Sequence, residues 1–353
     1  MNSGTLKKIG VVTALLVAVL VALEVADRRG AGDDGELLVA DFREHANDVR
    51  RVTVRRAGDD GSVVIERNDD GWAVVSRDGY PANVGKVREL LIAIADARIV
   101  EAKTANPELH GRLGLDDPDM ENSKGVQVVA ESDGYETGVV FGNRAQGSYR
   151  YARLAGEHQT YLVDQDPDIP DAAGEWLVPD IVDIDSSRVR AVTIAHPDGE
   201  TIHIGKSEEA QTDFDVEDIP EGRELSYSTV ANGIGGALND LELDDVRKNV
   251  AAANAVVTTF ETFDGLTISV SSIADGDGNW ITLAASAAPA DAGDAAADAA
   301  ADDVEDADEP TAAEQAAQIN ALADGWQFRV PDYKANLLKR RWDDILKAPP
   351  DDE

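Results

Sequence analysis

The 353-residue sequence has no cysteine. That excludes disulfides, zinc–thiolate centres, thiol catalysis and a lipidated cysteine near the N-terminus. It does not choose a compartment, because a cysteine-free chain suits either side of a membrane. Positive charge is also scarce: 32 basic residues stand against 69 acidic ones, for a formal net charge of −37. Such a field repels nucleic-acid phosphates and anionic headgroups, so no nucleic-acid partner is expected. Solubility accounts for the imbalance, and an acidic proteome in a saline habitat accounts for it equally well.

Catalytic signatures are missing too. None of His45, His110, His158, His196 and His203 stands in His-x-x-x-His or His-Glu-x-x-His spacing. There is no Gly-x-Ser-x-Gly elbow and no phosphate loop ending in Gly-Lys-Ser/Thr. Acidic residues are so frequent that no carboxylate pair stands out as an acid–base dyad. The expectation is therefore a non-enzyme with no catalytic residue, no cofactor, no cofactor-binding residue and no metal ligand.

What is present starts with an apolar run. Ile9 to Leu23 (IGVVTALLVAVLVAL) carry no charge; Lys7 and Lys8 precede them, and Glu24, Asp27, Arg28 and Arg29 follow. Counted from Leu6 to Val25, the stretch reaches the roughly 20 residues of a spanning helix. Lys7 and Lys8 snorkel and Glu24 sits at the interface. The run is apolar all round, which a soluble surface helix is not. A cleaved signal peptide shares the charged start, but Glu24 spoils the small-x-small site before Ala26. We read 1–8 as a cytoplasmic N-terminus, 9–26 as a transmembrane anchor and 27–44 as a Gly/Asp-rich linker, with the cleaved signal as the alternative. Both export the body. Lys7 and Lys8 place the N-terminus inside, against the weaker pull of Arg28 and Arg29.

With 43% hydrophobic residues, the rest of the chain can build cores. Short β-type runs alternate with turns from Val49 onward: VRRVTVRR, SVVIER and Trp72-Ala-Val-Val, separated by Gly58-Asp-Asp-Gly61 and Asp69-Asp-Gly71. Asn83 is placed to cap a helix whose stripe is Val84, Val87, Leu91 and Ile94. Strands are expected at Val126–Glu131, Glu136–Phe141, Tyr149–Leu154 and Thr160–Val163. A short helix around Trp176 is expected beyond Pro167 and Pro170.

The order then repeats. Val49-Arg-Arg-Val-Thr-Val54 matches Val189-Arg-Ala-Val-Thr-Ile194, Trp72-Ala-Val matches Phe214-Asp-Val, and Tyr80-Pro81 matches Ile219-Pro220. A helical stripe at Val230, Ile234, Leu238 and Leu241 follows. Strands are expected at Val256–Phe260, Leu266–Ile273, Trp280–Ala284 and Trp326–Val330, and a last helix with Leu338, Trp342, Ile345 and Leu346 on one face. The expected fold is α+β: a transmembrane helix, then two related, mainly antiparallel units at 45–186 and 187–348, and a tail at 349–353. Residues 287–318 hold ten acidic and no basic residues. They read as a disordered insert, since like charges repel and no apolar stripe is available to bury. A surface insertion of this length is tolerated because closure entropy grows slowly with length.

Four features resemble sites. Asp275-Gly-Asp277-Gly-Asn279 begins like a calcium loop, then places Trp280 where Gly is required and Ser286 where Glu is required. Asp164, Asp166, Asp168 and Glu175 share that spacing, but Ile169 replaces the Gly and Pro167 and Pro170 stiffen the loop. Both read as turns. Gly233-Ile-Gly235-Gly236 lacks the strand before it and the Lys after it that bind phosphate, so it reads as close packing. Lys334, Lys339, Arg340, Arg341 and Lys347 read as a solvated face suited to a helix C-terminus. The functional alternative is docking to an acidic surface, the chain's own body included.

The segments "DGWAVVSRDGYPANVGKVRELLIAIADARIVE", "LGLDDP", "GVVFGNRAQGSYRYARLAGEHQTYLVD" and "GWQFRVPDYKANLLKRRWDDIL" resemble a bacterial family, domain of unknown function 4340. The resemblance runs from about Val49 to Lys347, leaving out the acidic insert. Trp72 with Tyr80-Pro81, Leu113-Gly114-Leu115 with Pro118, and Gly142 with Tyr149 through Tyr161 carry most of it. Members often occur beside ABC transporters of the gliding-motility type. The resemblance thus implies an accessory subunit on the inner membrane facing the periplasm, with envelope proteins or transporter components as partners. It supplies no catalytic residues and no substrate. The insert departs from the family's pattern and leaves open how the last two strands pair. An envelope hydrolase, or a glycan- or cation-binding protein, is the alternative.

Overall fold

The structure, a computed structural model, describes residues 35–58, 62–251, 253–276, 278–288 and 310–348. The anchor read at 9–26 and the tail at 349–353 lie outside the described residues, as does most of the acidic insert. Among the described residues no helix is long and apolar enough to cross a membrane.

Antiparallel sheet dominates, with a few helices. The chain divides into two compact units. One holds the described residues through Ser76 together with Ala82–Pro170; the other holds Arg77–Pro81 and the described residues from Asp171 onward. The boundary thus falls near residue 170 rather than 186. The reason is local: Ile184 donates its N–H to the Leu238 carbonyl, and Asp180–Val182 pairs with Leu241–Glu242.

In the first unit the strands are β1 (Arg51–Arg55), β2 (Ser62–Asn68), β3 (Gly71–Val74), β5 (Ile99–Ala102), β6 (Val126–Ser132), β7 (Tyr135–Arg144), β8 (Arg150–Leu154) and β9 (Tyr161–Val163); β4 (Tyr80–Pro81) groups with the second unit. The sheet order within the first unit is β3-β2-β1-β6-β7-β8-β9-β5. Alternation places Val52 and Val54 inward on β1, opposite Ile65 and Val63 of β2 and Ala130 and Val128 of β6. Helix α1 (Phe42–His45) buries Phe42, so the second half of the expected linker is part of this core. Helix α2 (Val84–Asp96) begins where Asn83 accepts the Lys86 N–H, and it buries Val87, Leu90, Leu91 and Ile94. Val84, expected on that stripe, is exposed. Helix α3 (His110–Leu113) ends at Gly114, whose φ of +69° suits a residue without a Cβ.

The second unit repeats the plan. After β10 (Asp180–Val182) come β11 (Val189–Ala195), β12 (Thr201–Gly205), β13 (Asp215–Glu217), β14 (Leu241–Glu242), β15 (Asp245–Lys248), β16 (Val256–Thr262), β17 (Leu266–Asp275), β18 (Gly278–Ala287) and β19 (Trp326–Arg329). The large sheet runs β13-β12-β11-β16-β17-β18-β19-β15. Strand for strand this is the first unit's β3-β2-β1-β6-β7-β8-β9-β5. In both units the strand ahead of the central crossing pairs with the last strand. The two large sheets therefore share one strand order. β18 and β19 pair through Trp280↔Arg329 and Ile281↔Phe328, so the insert between them leaves the ladder intact.

Three expectations change here. The stripe from Val230 to Leu241 yields only a four-residue helix, α4 (Asn232–Gly235), and Leu241 opens β14. Residues Ala312–Ala323, whose first part was counted in the disordered insert, form helix α5; Thr311 and Glu314 close a reciprocal capping box on it. The last helix is two pieces, α6 (Asp332–Leu338) and α7 (Trp342–Ile345).

Helix α5 also protects a sheet edge. β19 pairs with the start of β18, and among the described residues the far part of β18 has no strand partner on that side. There the Asn320 side chain accepts the Ala285 N–H and donates to the Ala285 carbonyl, both at 2.8 Å, as a neighbouring strand would. Replacing Asn320 with Ala should speed exchange of the Ala285 amide about fivefold, as one net hydrogen bond contributes about 1 kcal/mol. Hydrogen–deuterium exchange reads this directly.

Candidate functional site

One cavity in the first unit gathers two histidines, an arginine and several carboxylates. Pro107 opens a 3-10 turn capped by Asn106, whose side chain accepts the Glu108 N–H. The turn leads into α3 and presents His110, buried at 5% exposure. From the other side, β8 and the bend after it bring Arg153, Glu157 and His158. Glu108, Asp116 and Asp117 complete the lining of a space of about 240 Å³.

Geometry shows what these groups do. His110 Nε2 lies 2.9 Å from the His158 carbonyl, so that nitrogen carries the proton; the two imidazoles are 6.4 Å apart. Arg153, 2% exposed, donates Nε to the Leu115 carbonyl at 2.9 Å and Nη1 to the Leu154 and Glu157 carbonyls, both at 3.3 Å. Its Nη2 reaches Asp117 at 2.5 Å. Four of its five N–H donors are thus engaged within the chain. The guanidinium ties the Leu113–Asp117 turn to the β8 bend, leaving it little capacity to receive a ligand. Gly142 allows the same turn to approach β7, and Gly125 lets it approach the start of β6. A Cβ on Gly142 would sit 2.3 Å from the Leu113 carbonyl oxygen, and one on Gly125 would sit 2.1 Å from that of Asp116. Sequence reasoning did not pair His110 with His158, which lie 48 residues apart.

The other histidines stay separate. His45 stacks on Tyr135 with ring centres 3.9 Å apart, and the Tyr135 hydroxyl donates to Asp41. Partial burial, that bond and the Asp41 charge push the Tyr135 phenol up to about 12. His203 Nδ1 lies 3.1 Å from the Thr193 hydroxyl across β11 and β12, whereas His196 bonds the Arg340 carbonyl. These two strand neighbours do not form a metal pair. Among the described residues, no three His, Asp or Glu side chains are arranged to hold a metal ion.

The calcium-like spacings resolve into structural roles. Asp164 accepts the Arg98 N–H, Asp166 pairs with Arg144 and Arg150, and Glu175 accepts the Asp171 and Ala172 N–H groups. Burial pushes the Arg150 guanidinium down, while Asp166 pulls the other way. Asp275 and Gly278 close the β17–β18 hairpin; Asp275 pairs with Arg247, and Asn279 donates to Asp332. Asp277 lies outside the described residues. At Gly235 a Cβ would stand 2.2 Å from the Phe214 ring, which explains that glycine by packing.

The basic C-terminal residues are not a free solvated face. Arg341 pairs with Asp198 at 2.9 Å and Glu200 at 2.7 Å, and Lys347 pairs with Glu224 at 2.6 Å. Lys334 reaches the Ala237 and Asn239 carbonyls, and burial pushes its ammonium down. Lys339 bonds Asn279. The segment docks on the acidic body of its own unit.

Tyr80, a residue of the resemblance, is packed edge-on against Trp326 at 5.1 Å and Phe328 at 6.2 Å. Burial, with the Asp180 charge adding to it, pushes its phenol up to about 12. Arg77 holds Asp245 through two bonds of 2.5 and 2.9 Å. Tyr80 thus maintains packing.

No curated protein and no solved structure matches the chain. A family model described as a domain of unknown function, DUF4340, matches residues 72–258, from β3 of the first sheet into β16 of the second. With more than half of its length matched, the chain belongs to the DUF4340 family.

Proposed function

We propose that this protein is a non-enzymatic, membrane-anchored accessory or binding protein of the bacterial cell envelope, serving as an auxiliary component of an ABC transporter system. In this reading residues 9–26 hold it in the inner membrane and its body faces the periplasm. The observation that carries the proposal is the duplicated strand order, which gives the chain two like antiparallel sheets. The apolar N-terminal run supports the anchor. The engagement of Arg153, Asp166 and Glu175 within the chain supports a scaffold over a catalyst.

Two measurements test this. A C-terminal reporter active only in the cytoplasm should stay dark, while one active only after export should work; the reverse pattern overturns the placement. Cross-linking in native membranes followed by gentle solubilisation should recover a transporter permease or ATPase with the chain. Recovery of neither subunit overturns the assignment to a transporter.

A further inference from the structure

The β11–β12 turn faces the C-terminal segment with three side chains. His196 N–H bonds the Glu200 carbonyl, and Gly199 N–H bonds the His196 carbonyl, so the turn is closed at both ends. His196 Nε2 lies 3.0 Å from the Arg340 carbonyl. Glu200 accepts the Trp342 N–H at 2.8 Å and the Arg341 guanidinium at 2.7 Å, while Asp198 takes the same guanidinium at 2.9 Å. Further on, Ser226 N–H bonds the Ile345 carbonyl, Leu346 bridges to Leu225, and Lys347 N–H bonds the Glu224 carbonyl.

We propose that residues 340–348 form an acid-released strap on the second unit, with His196 as the latch. The imidazole is 7% exposed, and its Nδ1 is buried with no hydrogen-bond partner. The neutral ring, with its proton on Nε2, serves the Arg340 carbonyl and leaves only a lone pair in that enclosed spot. A second proton puts a charged N–H donor where nothing accepts it, which is unfavourable for a buried group. The charged ring is accommodated by leaving the site, and the Arg340 carbonyl loses its donor.

The charged groups around the latch are Asp198 and Glu200 on the turn and Arg340, Arg341 and Asp344 on the strap. The Arg341 guanidinium, held at the turn by Asp198 and Glu200, opposes a cation on His196. Asp198 and Glu200 favour one but are already bonded to Arg341, and Asp344 accepts the Arg341 N–H. The Glu200 N–H and the Arg341 pair hold the Asp198 carboxyl below the usual carboxylate range. Lys347 does the same for Glu224. A carboxyl held low contributes stability above its unfolded value, about 4, and loses it only as pH falls further. These carboxyls therefore hold the strap down to about pH 5, and a release above that points to the enclosed His196 ring.

Hydrogen–deuterium exchange on the intact purified chain, corrected for intrinsic rates, tests this. Acidification from about pH 8 to about pH 5 should lower protection of residues 340–348 about tenfold, the loss of a charge-coupled hydrogen bond. Amides of β16 and β17 should hold. In His196→Gln the side-chain amide can still donate to the Arg340 carbonyl but does not titrate, so the step should vanish while protection near pH 8 is kept. Three results overturn the proposal: no step in the parent, an equal step in His196→Gln, or simultaneous loss in β16 and β17, which would indicate unfolding of the whole unit. If His196→Gln fails to fold, a salt titration of the parent replaces it: a latch set by His196 keeps its pH step in high salt, whereas loss of the step with salt assigns release to the Arg341 pairs and overturns the latch.

Discussion

Gly142→Ala should destabilise the first unit by about 3 kcal/mol, a large value for a single methyl group. The added Cβ would lie 2.3 Å from the Leu113 carbonyl oxygen and 2.9 Å from the Leu115 side chain. The first of these atoms is backbone and cannot rotate away. It belongs to the turn that Arg153 and Gly114 hold against β7, so relief requires moving that turn. Alanine recovers about 0.5–1 kcal/mol by restricting the unfolded chain, which is too little to change the sign. Urea unfolding should show the midpoint of the first unit falling by more than about 1 M, given slopes of about 2 kcal/mol per molar. Gly134→Ala is the control. That glycine has a φ of +82° but nothing within 4 Å of a Cβ, so only backbone strain of about 1 kcal/mol is expected. Equal losses in the two variants would mean that close approach at Gly142 is not what excludes a side chain.

The sequence showed the strands best, because an open antiparallel sheet writes its two faces into alternate residues. The runs at 126, 136, 149 and 160, and their counterparts at 256, 266, 280 and 326, all became strands. The edge strand β15 was hidden: it is Asp-Val-Arg-Lys, a composition that looks like a loop because charge suits an edge. A helix needs more than an apolar stripe. Val230, Ile234 and Leu238 are all buried as expected, yet Gly233, Gly235 and Gly236 lower helix propensity, and the Phe214 ring fills the space beside Gly235. The last helix breaks for a long-range reason. The Arg340 carbonyl turns to His196 and the Trp342 N–H turns to Glu200, partners more than a hundred residues away.

The same distinction governs the sites. Local spacing resembled calcium loops but read as turns, and two of the carboxylates have partners set by the fold, Arg144 and Arg150 for Asp166 and Arg247 for Asp275. Basic residues in a chain of −37 charge find acidic partners almost anywhere, and here the partners for Arg341 and Lys347 are in the unit's own turns. The strong acidity therefore does more than repel other polyanions. It supplies the surface on which the C-terminal segment is fastened.

Arg153→Met should cost the first unit about 3–4 kcal/mol, and the division of that loss identifies what the arginine holds. Methionine preserves much of the apolar stem but removes four donated hydrogen bonds, three of them to backbone carbonyls. A buried acceptor left unpaired costs about 1–3 kcal/mol. The Leu154 carbonyl keeps the Glu157 N–H, so the Leu115 and Glu157 carbonyls bear most of the loss. The ion pair is the smaller part, because the Asp117 side chain is 60% exposed and water screens it. Asp117→Asn should therefore cost less than about 1 kcal/mol. Arg153→Lys should fall between the two, since one ammonium cannot span carbonyls that a planar guanidinium reaches together. Urea unfolding of the three variants gives the ranking Met, then Lys, then Asn. Exchange of amides 113–117 and 154–158 should rise in the first two variants and stay low in the third. If Asp117→Asn matches Arg153→Met, the ion pair rather than the carbonyl clasp holds the turn, and the cavity's charge would then have to be counted as a binding determinant.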